Sequence, residues 1–282
     1  MFSFSRFLCY TRPVHKRTGK ESVMLKIIIS PAKKMNITED APRGLTAPAF
    51  LDRALELHSI LKGKDLSELK SLWKCSDRLA EQNWERLRSY SPEFALTPAL
   101  LSYEGIQYQH MAPGVFSDSQ WDYAVSHLRI LSGFYGILSP TDKVIPYRLE
   151  MQAKLRTDKG NDLYGWWGDS LYRELLLEGT TELVNLASAE YSKAVLPWLE
   201  QHSSGETSFP GSAPSCVTCI FGEMSDGKVK VKGTQAKIAR GEMVRWMAEN
   251  QIGSTEDIRD FDSLGWQFHR DLSTDREYVF VR

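Results

Sequence analysis

The stretch Leu25-Lys26-Ile27-Ile28-Ile29-Ser30-Pro31-Ala32-Lys33-Lys34 decides the architecture. Four of its first five residues are apolar, and the run is too short for a helix, so it reads as a buried strand. Ser30-Pro31 ends the strand and a polar loop follows, Pro/Gly-punctuated as far as Pro48. Further along, Leu51, Leu55, His58 and Leu61 recur at spacings of three and four, which predicts a helix over 49–62 that Gly63 stops. Helices over 65–74 and 76–88 follow, joined around Cys75-Ser76-Asp77 with Ser76 or Asp77 as the cap, in the manner of a helix-hairpin-helix. Pro92 and Pro98 interrupt the pattern. A helix over 119–131 with Trp121, Ala124, Val125 and Leu128 inward resumes it, and Gly133, Gly136 and Pro140 lead into a loop through Pro146-Tyr147-Arg148.

The second half alternates in the same way. Helix 168–177, strand 182–186 and a short helix over 189–199 precede a Ser/Gly/Pro-rich surface loop over 202–215. Strands 217–223 and 228–232 flank the hairpin signal Asp226-Gly227, a helix spans 235–250, and strands near 265–268 and 278–281 close the chain. Strands and helices interleave without a repeat. The predicted fold is therefore α/β, a single compact domain over residues 24–282 with a mixed β-sheet core surrounded by helices and a helix-hairpin-helix-like element.

Composition narrows the function. The chain has 282 residues with 42% apolar and 25% charged, which leaves room for a sizeable core and excludes disorder of the whole. No apolar run reaches the roughly 18–20 residues of a membrane-spanning helix, and no membrane partner is expected. Five of the 35 Lys and Arg and one of the 36 Asp and Glu fall in residues 1–23, leaving 30 against 35 in the body. Residues 1–23 read as a basic, disordered extension, too broken in its apolar stretch for a secretory signal. Because the body is acidic, nucleic-acid binding requires a local basic surface.

Four cysteines are too few for a disulfide scaffold. Cys216 and Cys219 fall on a predicted strand, where residues three apart face opposite ways and cannot chelate one ion together. The six His residues are scattered, so no metal site or cofactor is expected.

Polar residues bunch instead at two predicted strand ends: Ser30, Lys33 and Lys34 after the first, and Asn185 and Ser188 with Glu190, Tyr191 and Lys193 after a later one. In open α/β sheets such ends border the ligand crevice. The block 128–151 is dense in Gly, aromatic and charged residues. Within it Arg148 suits a phosphate or carboxylate clamp, and Glu150 suits its partner or a proton acceptor. Tyr164, Trp166 and Trp167 read either as a base-stacking platform or as core. Lys228, Lys230 and Lys232 share one strand face, fit to track phosphates or to guard an edge.

At these residues the chain resembles the YaaA family of bacterial peroxide-stress proteins. The similarity rests on Ile29-Ser30-Pro31-Ala32-Lys33, Ser76-Asp77-Arg78-Leu79-Ala80, the block from Leu128 to Met151, Leu163-Tyr164 with Trp167-Gly168, Asn185-Leu186-Ala187-Ser188 with Glu190-Tyr191, and Ala236-Lys237 with Ala239-Arg240-Gly241. The resemblance implies a cytosolic protein that lowers free intracellular iron and so limits Fenton damage to DNA. It also implies a helix-hairpin-helix and a basic cleft that binds DNA. Carried over, Ser30, Lys33, Arg148, Glu150, Asn185, Ser188, Lys237 and Arg240 become the cleft residues, and Ser76, Asp77, Arg78, Leu79 and Ala80 the hairpin. The hairpin turn Cys75-Ser76-Asp77 lacks the glycine that a backbone phosphate cradle normally uses. DNA is the expected partner of a monomeric protein. An alternative is an enzyme acting on a nucleotide-like or other anionic small molecule in the same cleft, with Arg148 as clamp, Lys33 as stabiliser and Glu150 as proton acceptor. Direct iron binding has no ligand cluster behind it.

Overall fold

β1 (Leu25–Ile29) is buried along its whole length because it has a hydrogen-bonded neighbour on each side and its apolar side chains pack into the core. The computed structural model describes residues 23–225 and 227–282, and β1 lies inside its eight-stranded sheet. The other strands are β2 (Leu128–Ser132), β3 (Gly136–Leu138), β4 (Glu182–Leu186), β5 (Ser215–Ser225), β6 (Lys228–Lys230), β7 (Gln267–Phe268) and β8 (Glu277–Val281). Their order is β7-β8-β5-β4-β1-β2-β3, with β6 paired to β5. The five central strands from β8 to β2 run parallel, and β3, β6 and β7 join antiparallel. The chain leaves β1 towards β2 but leaves β4, on the other side of β1, towards β5. Connections that part in this way open a crevice at the carboxyl ends of the two strands.

The helices needed below are α1 (Leu51–Lys62), α2 (Leu66–Trp73), α3 (Asp77–Ser89), α4 (Ile106–Met111), α5 (Asp118–His127), α6 (Ser170–Leu177) and α7 (Gly233–Glu249). One apolar core runs from β1 through α1 and α7 to β8, so the described residues form a single mixed α/β domain, as the pattern predicts. Apart from Val23, the basic extension lies outside the described residues. Among these residues no helix is long and apolar enough to cross a membrane.

Three local expectations change. The helix predicted over 119–131 ends at His127, and Leu128–Ser132 is a strand inserted between β1 and β3. Leu128 and Leu131 keep a helical spacing, but a short apolar run carries no period that separates a buried strand from a helix, and pairing with β1 decides it. The helix predicted over 189–199 is two, Ala189–Ser192 and Leu196–Ser203, because Pro197 cannot donate within a continuous helix and sits in the first turn of the second. Lys232 lies beyond β6 at the start of α7, where it pairs with Glu223 at 2.5 Å, so the three lysines do not form one strand face.

The C-x-x-C behaves as a strand pair should: Cys219 is buried while Cys216 is half-buried. Burial pushes the Cys216 thiol up to about 12 and Cys219 higher still.

Beneath the amino-terminal end of the sheet lies a buried ionic cluster. Lys26 and Arg129 share a sheet face, since Arg129 pairs with Ile28 two residues from Lys26. Arg129 Nε donates to both Glu178 oxygens at 2.9 and 2.8 Å, and Lys26 Nζ lies 3.2 Å from the same carboxylate. The cations also donate to the Val125 and Ser126 carbonyls in the last turn of α5, the negative end of that helix. Burial raises the Glu178 pKa, but Arg129 and Lys26 outweigh it and hold the carboxyl below its usual range.

α4 and α7 cross in close contact. A Cβ on Gly241 would sit 2.1 Å from the Gln107 carbonyl oxygen, so glycine alone permits this approach. Two outcomes follow from these contacts. Glu178→Gln removes the carboxylate that two buried cations share and is expected to lower unfolding free energy by about 3–5 kcal/mol in urea titrations. The stabilisation from Glu178 is full at neutral pH and declines as pH falls below roughly 4.3, the unfolded carboxylate value, a decline that Glu178→Gln removes. Gly241→Ala, by contrast, is expected to cost about 1–3 kcal/mol through overpacking in the same titrations.

Candidate functional site

At the crevice, Ser30 follows β1 and Ser188 follows β4, and the two are tied together. The Ser188 amide donates to Ser30 Oγ at 2.8 Å, and the Ser30 hydroxyl donates to Ser188 Oγ at 3.2 Å. Tyr108 of α4 donates to the Ser30 carbonyl at 2.9 Å. Over this junction opens a cavity of about 440 Å³, in the range of small-ligand sites. Its walls are the loop 30–34, residues 104–108, the segment 147–150, Ser188 with Glu190 and Tyr191, and Lys237 and Arg240 of α7. Lys237 and Arg240 are three apart on a helix and so share a face.

Of the eight residues expected in a cleft, Ser30, Lys33, Arg148, Glu150, Ser188, Lys237 and Arg240 all line this cavity. Asn185 does not. It is 2% exposed, accepts from the Ala187 amide at 3.0 Å and donates to Thr218 Oγ1 at 3.2 Å, so it shapes the turn after β4 and joins β4 to β5. Arg148 and Glu150 reach the rim because Gly133, just past β2, lets the segment 149–151 lie against it. A Cβ there would stand 2.5 Å from the Leu149 carbonyl oxygen.

The cavity carries five cationic side chains and three carboxyl groups. Glu150 pairs with Lys33 at 2.8 Å and with Arg148 at 3.1 Å, which makes it the partner of Arg148 and uses its charge. Lys34 pairs with Glu104 at 2.5 Å. Arg240 is half-buried with its Nε fully enclosed, and among the described residues it has no hydrogen-bond or ion-pair partner. Burial lowers its pKa, and the one group that opposes this is the buried Cys219 thiol nearby. Lys237 is exposed and also without an ion-pair partner among the described residues. Burial raises the Glu190 pKa, and the neighbouring Glu150 carboxylate pushes it the same way. The Gln107 side chain is buried and its Nε2 has no partner.

A layer of tyrosines supports the site. Tyr103 and Tyr147 hydroxyls lie 2.8 Å apart, and Tyr147 reaches Ser132 at 2.7 Å. Burial pushes Tyr147 up to about 12, so all of these phenols stay neutral.

The hairpin lies elsewhere. α2 and α3 are joined through Lys74, Cys75 and Ser76, and none of Ser76, Asp77, Arg78, Leu79 or Ala80 lines the cavity. Ser76 occupies the N-cap position without a side-chain cap bond, Asp77 pairs with Lys70, and Leu79 and Ala80 turn inward. The helices meet the cleft from behind, where Trp73 and Leu87 adjoin Pro146 and Arg148 in a narrow crevice. Trp166 and Trp167 are each 1% exposed, Trp167 donates to the Gly133 carbonyl at 3.0 Å, and they are core rather than a stacking platform. Among the described residues no three His, Cys, Asp or Glu side chains gather as metal ligands. Gln107 escaped sequence reading, since α4 lies in the Pro-interrupted region and a lone Gln carries no pattern.

The family model described as "Peroxide stress protein YaaA" matches residues 25–272. A UPF0246 protein of Pediococcus pentosaceus is 47% identical over 258 residues, which is 92% of this chain and 98% of the relative. A UPF0246 protein of Agathobacter rectalis is also 47% identical over 258 residues, 92% of this chain and 99% of the relative. The UPF0246 protein DSY0297 of Desulfitobacterium hafniense is 48% identical over 260 residues, 92% of this chain and 98% of the relative. The matched span begins at the first residue of β1 and takes in every wall of the cleft, and the chain belongs to the peroxide stress protein YaaA family.

Proposed function

We propose that the protein serves the peroxide-stress response in the cytosol by binding DNA through the cleft at the ends of β1 and β4 while lowering free intracellular iron. Fe(II) reduces peroxide to hydroxyl radical, so less free iron near DNA means less Fenton damage. The observation that carries the binding reading is Arg240, a partly desolvated guanidinium in a cavity wall with no counter-charge among the described residues. A desolvated cation without a partner is costly, and an anionic oxygen supplied by a ligand offsets that cost. Lys237 on the same helix face and the remaining cations of the wall extend the positive surface on an otherwise acidic body. The exposed Ser76, Asp77 and Arg78 of the α2–α3 connection would meet phosphates outside the cavity, with Arg78 as the contributing charge.

A second reading is favoured by the cavity's size and by the Glu190 carboxyl. An enzyme acting on a nucleotide-like or other anionic small molecule would hold its anion on Arg240 and Arg148. Glu190, raised by burial, suits proton exchange better than Glu150, which two cations neutralise.

DNA binding is tested by fluorescence anisotropy of a labelled oligonucleotide across a salt series. The affinity is expected to fall linearly with log salt, and replacing Lys237 by Ala is expected to weaken binding and reduce that slope by about one. Binding indifferent to salt and to Lys237 overturns the reading. The iron claim is tested by electron paramagnetic resonance of chelatable iron in peroxide-treated cells with and without the protein, where loss is expected to raise the signal. A rise in melting temperature across an anion panel that Glu190→Gln retains, together with a turnover that Glu190→Gln abolishes, marks the enzymatic reading.

A further inference from the structure

The charges of the cleft pair off unevenly. Glu150 is shared by Lys33 and Arg148, and Glu104 takes Lys34, so the cations left without a partner are Arg240 and Lys237. Their positions differ. Lys237 stands in solvent at the mouth, whereas Arg240 runs inwards towards Cys219 of the central strand β5. On the crossing helix α4, Gln107 lines the same cavity, 93% buried with its Nε2 unpartnered. The Gly241 contact fixes these two helices against each other, so both groups belong to one wall. Arg240 offers only donors, the Gln107 Nε2 is a further donor, and neither nitrogen group has an acceptor among the described residues.

We infer that this recess is a subsite for a terminal phosphate group, a phosphomonoester of a mononucleotide or of a nucleic-acid end, in preference to an internal phosphodiester. The inference rests on the reading that the cleft binds a phosphate-bearing ligand, and three properties point to the terminal group. Depth is the first. An internal phosphate is flanked on both sides by sugars, and a duplex cannot enter a cavity of about 440 Å³, whereas a chain end or a single nucleotide can. Charge is the second. A phosphomonoester carries about −1.5 to −2 at neutral pH, matching the two unpaired cations, while a diester carries one charge. Donor supply is the third. The fork of Arg240 and the Gln107 amide together suit three non-ester oxygens better than two.

The test uses the full chain and dT oligonucleotides bearing phosphate at the 5′ end, at the 3′ end or at neither, with dTMP and thymidine as the small-molecule arm, read by anisotropy and titration calorimetry. A terminal phosphate is expected to tighten binding at least tenfold, and inorganic phosphate is expected to compete. Arg240→Lys keeps the charge but loses the fork, and Gln107→Leu keeps the volume but loses the donor. Both are expected to bring the preference below threefold, whereas Lys237→Ala, at the exposed mouth, weakens every ligand and lowers the preference only in part. A preference seen with oligonucleotides and not with dTMP assigns the site to nucleic-acid ends, and a preference shared by dTMP assigns it to a free nucleotide. If phosphorylated and hydroxyl ends bind equally to the unaltered protein, the subsite is refuted while salt-dependent DNA binding still stands. If no phosphate-bearing ligand binds at all, both fall.

Discussion

β1 and β4 are parallel neighbours, and the connections that leave them go opposite ways. The chain travels from β1 to β2 on one side, and β4 on the other side hands on to β5. No segment of chain can then close over the junction of β1 and β4, so the carboxyl ends of these strands face an opening. Ser30 and Ser188 bond across that junction and fix its width, while Tyr108 ties α4 to it. Every other wall of the cleft is placed with respect to this pair. The opposite end of the same strands is closed by Lys26, Arg129 and Glu178, where both cations share one carboxylate and also donate to the α5 carbonyls. At one end of the sheet every one of these cations has a partner, and at the other Arg240 and Lys237 have none among the described residues.

The difference between the ends is a matter of partners rather than of residue types. Both contain lysine, arginine and glutamate. At the closed end one carboxylate is gripped by both cations and the remaining protons go to helix carbonyls. At the open end two carboxylates take three cations, and Arg240 and Lys237 remain over. Counting charge along the chain cannot separate these cases, because the balance of a site depends on which groups the fold brings within reach.

That distinction explains what was legible in the sequence. The apolar runs at 25–29 and 182–186 gave both strands at the crevice, and the polar residues after them marked the strand ends where the cavity lies. Residues brought to the cleft by family motifs were found because the motifs travel with the fold. Asn185 shares its motif with Ser188 but lies inside the strand, where its side chain bonds Thr218 and the Ala187 amide, whereas Ser188 lies past the strand end. The strand 128–132 was hidden by a leucine spacing common to both secondary structures, and its identity comes from pairing with residues a hundred positions earlier. Gln107 is less legible still. Its relevance arises from an unpartnered amide, and the absence of a partner is a property of three-dimensional surroundings only.

The two thiols on β5 show what the packing of this sheet means for survival in an oxidising cell. Attack on peroxide requires the ionised sulfur, and burial, which pushes the Cys216 thiol up to about 12, disfavours that form at neutral pH. Cys219, enclosed and held higher, presents less. Burial in the packed sheet therefore keeps these two sulfurs in the thiol form that reacts poorly with an oxidant.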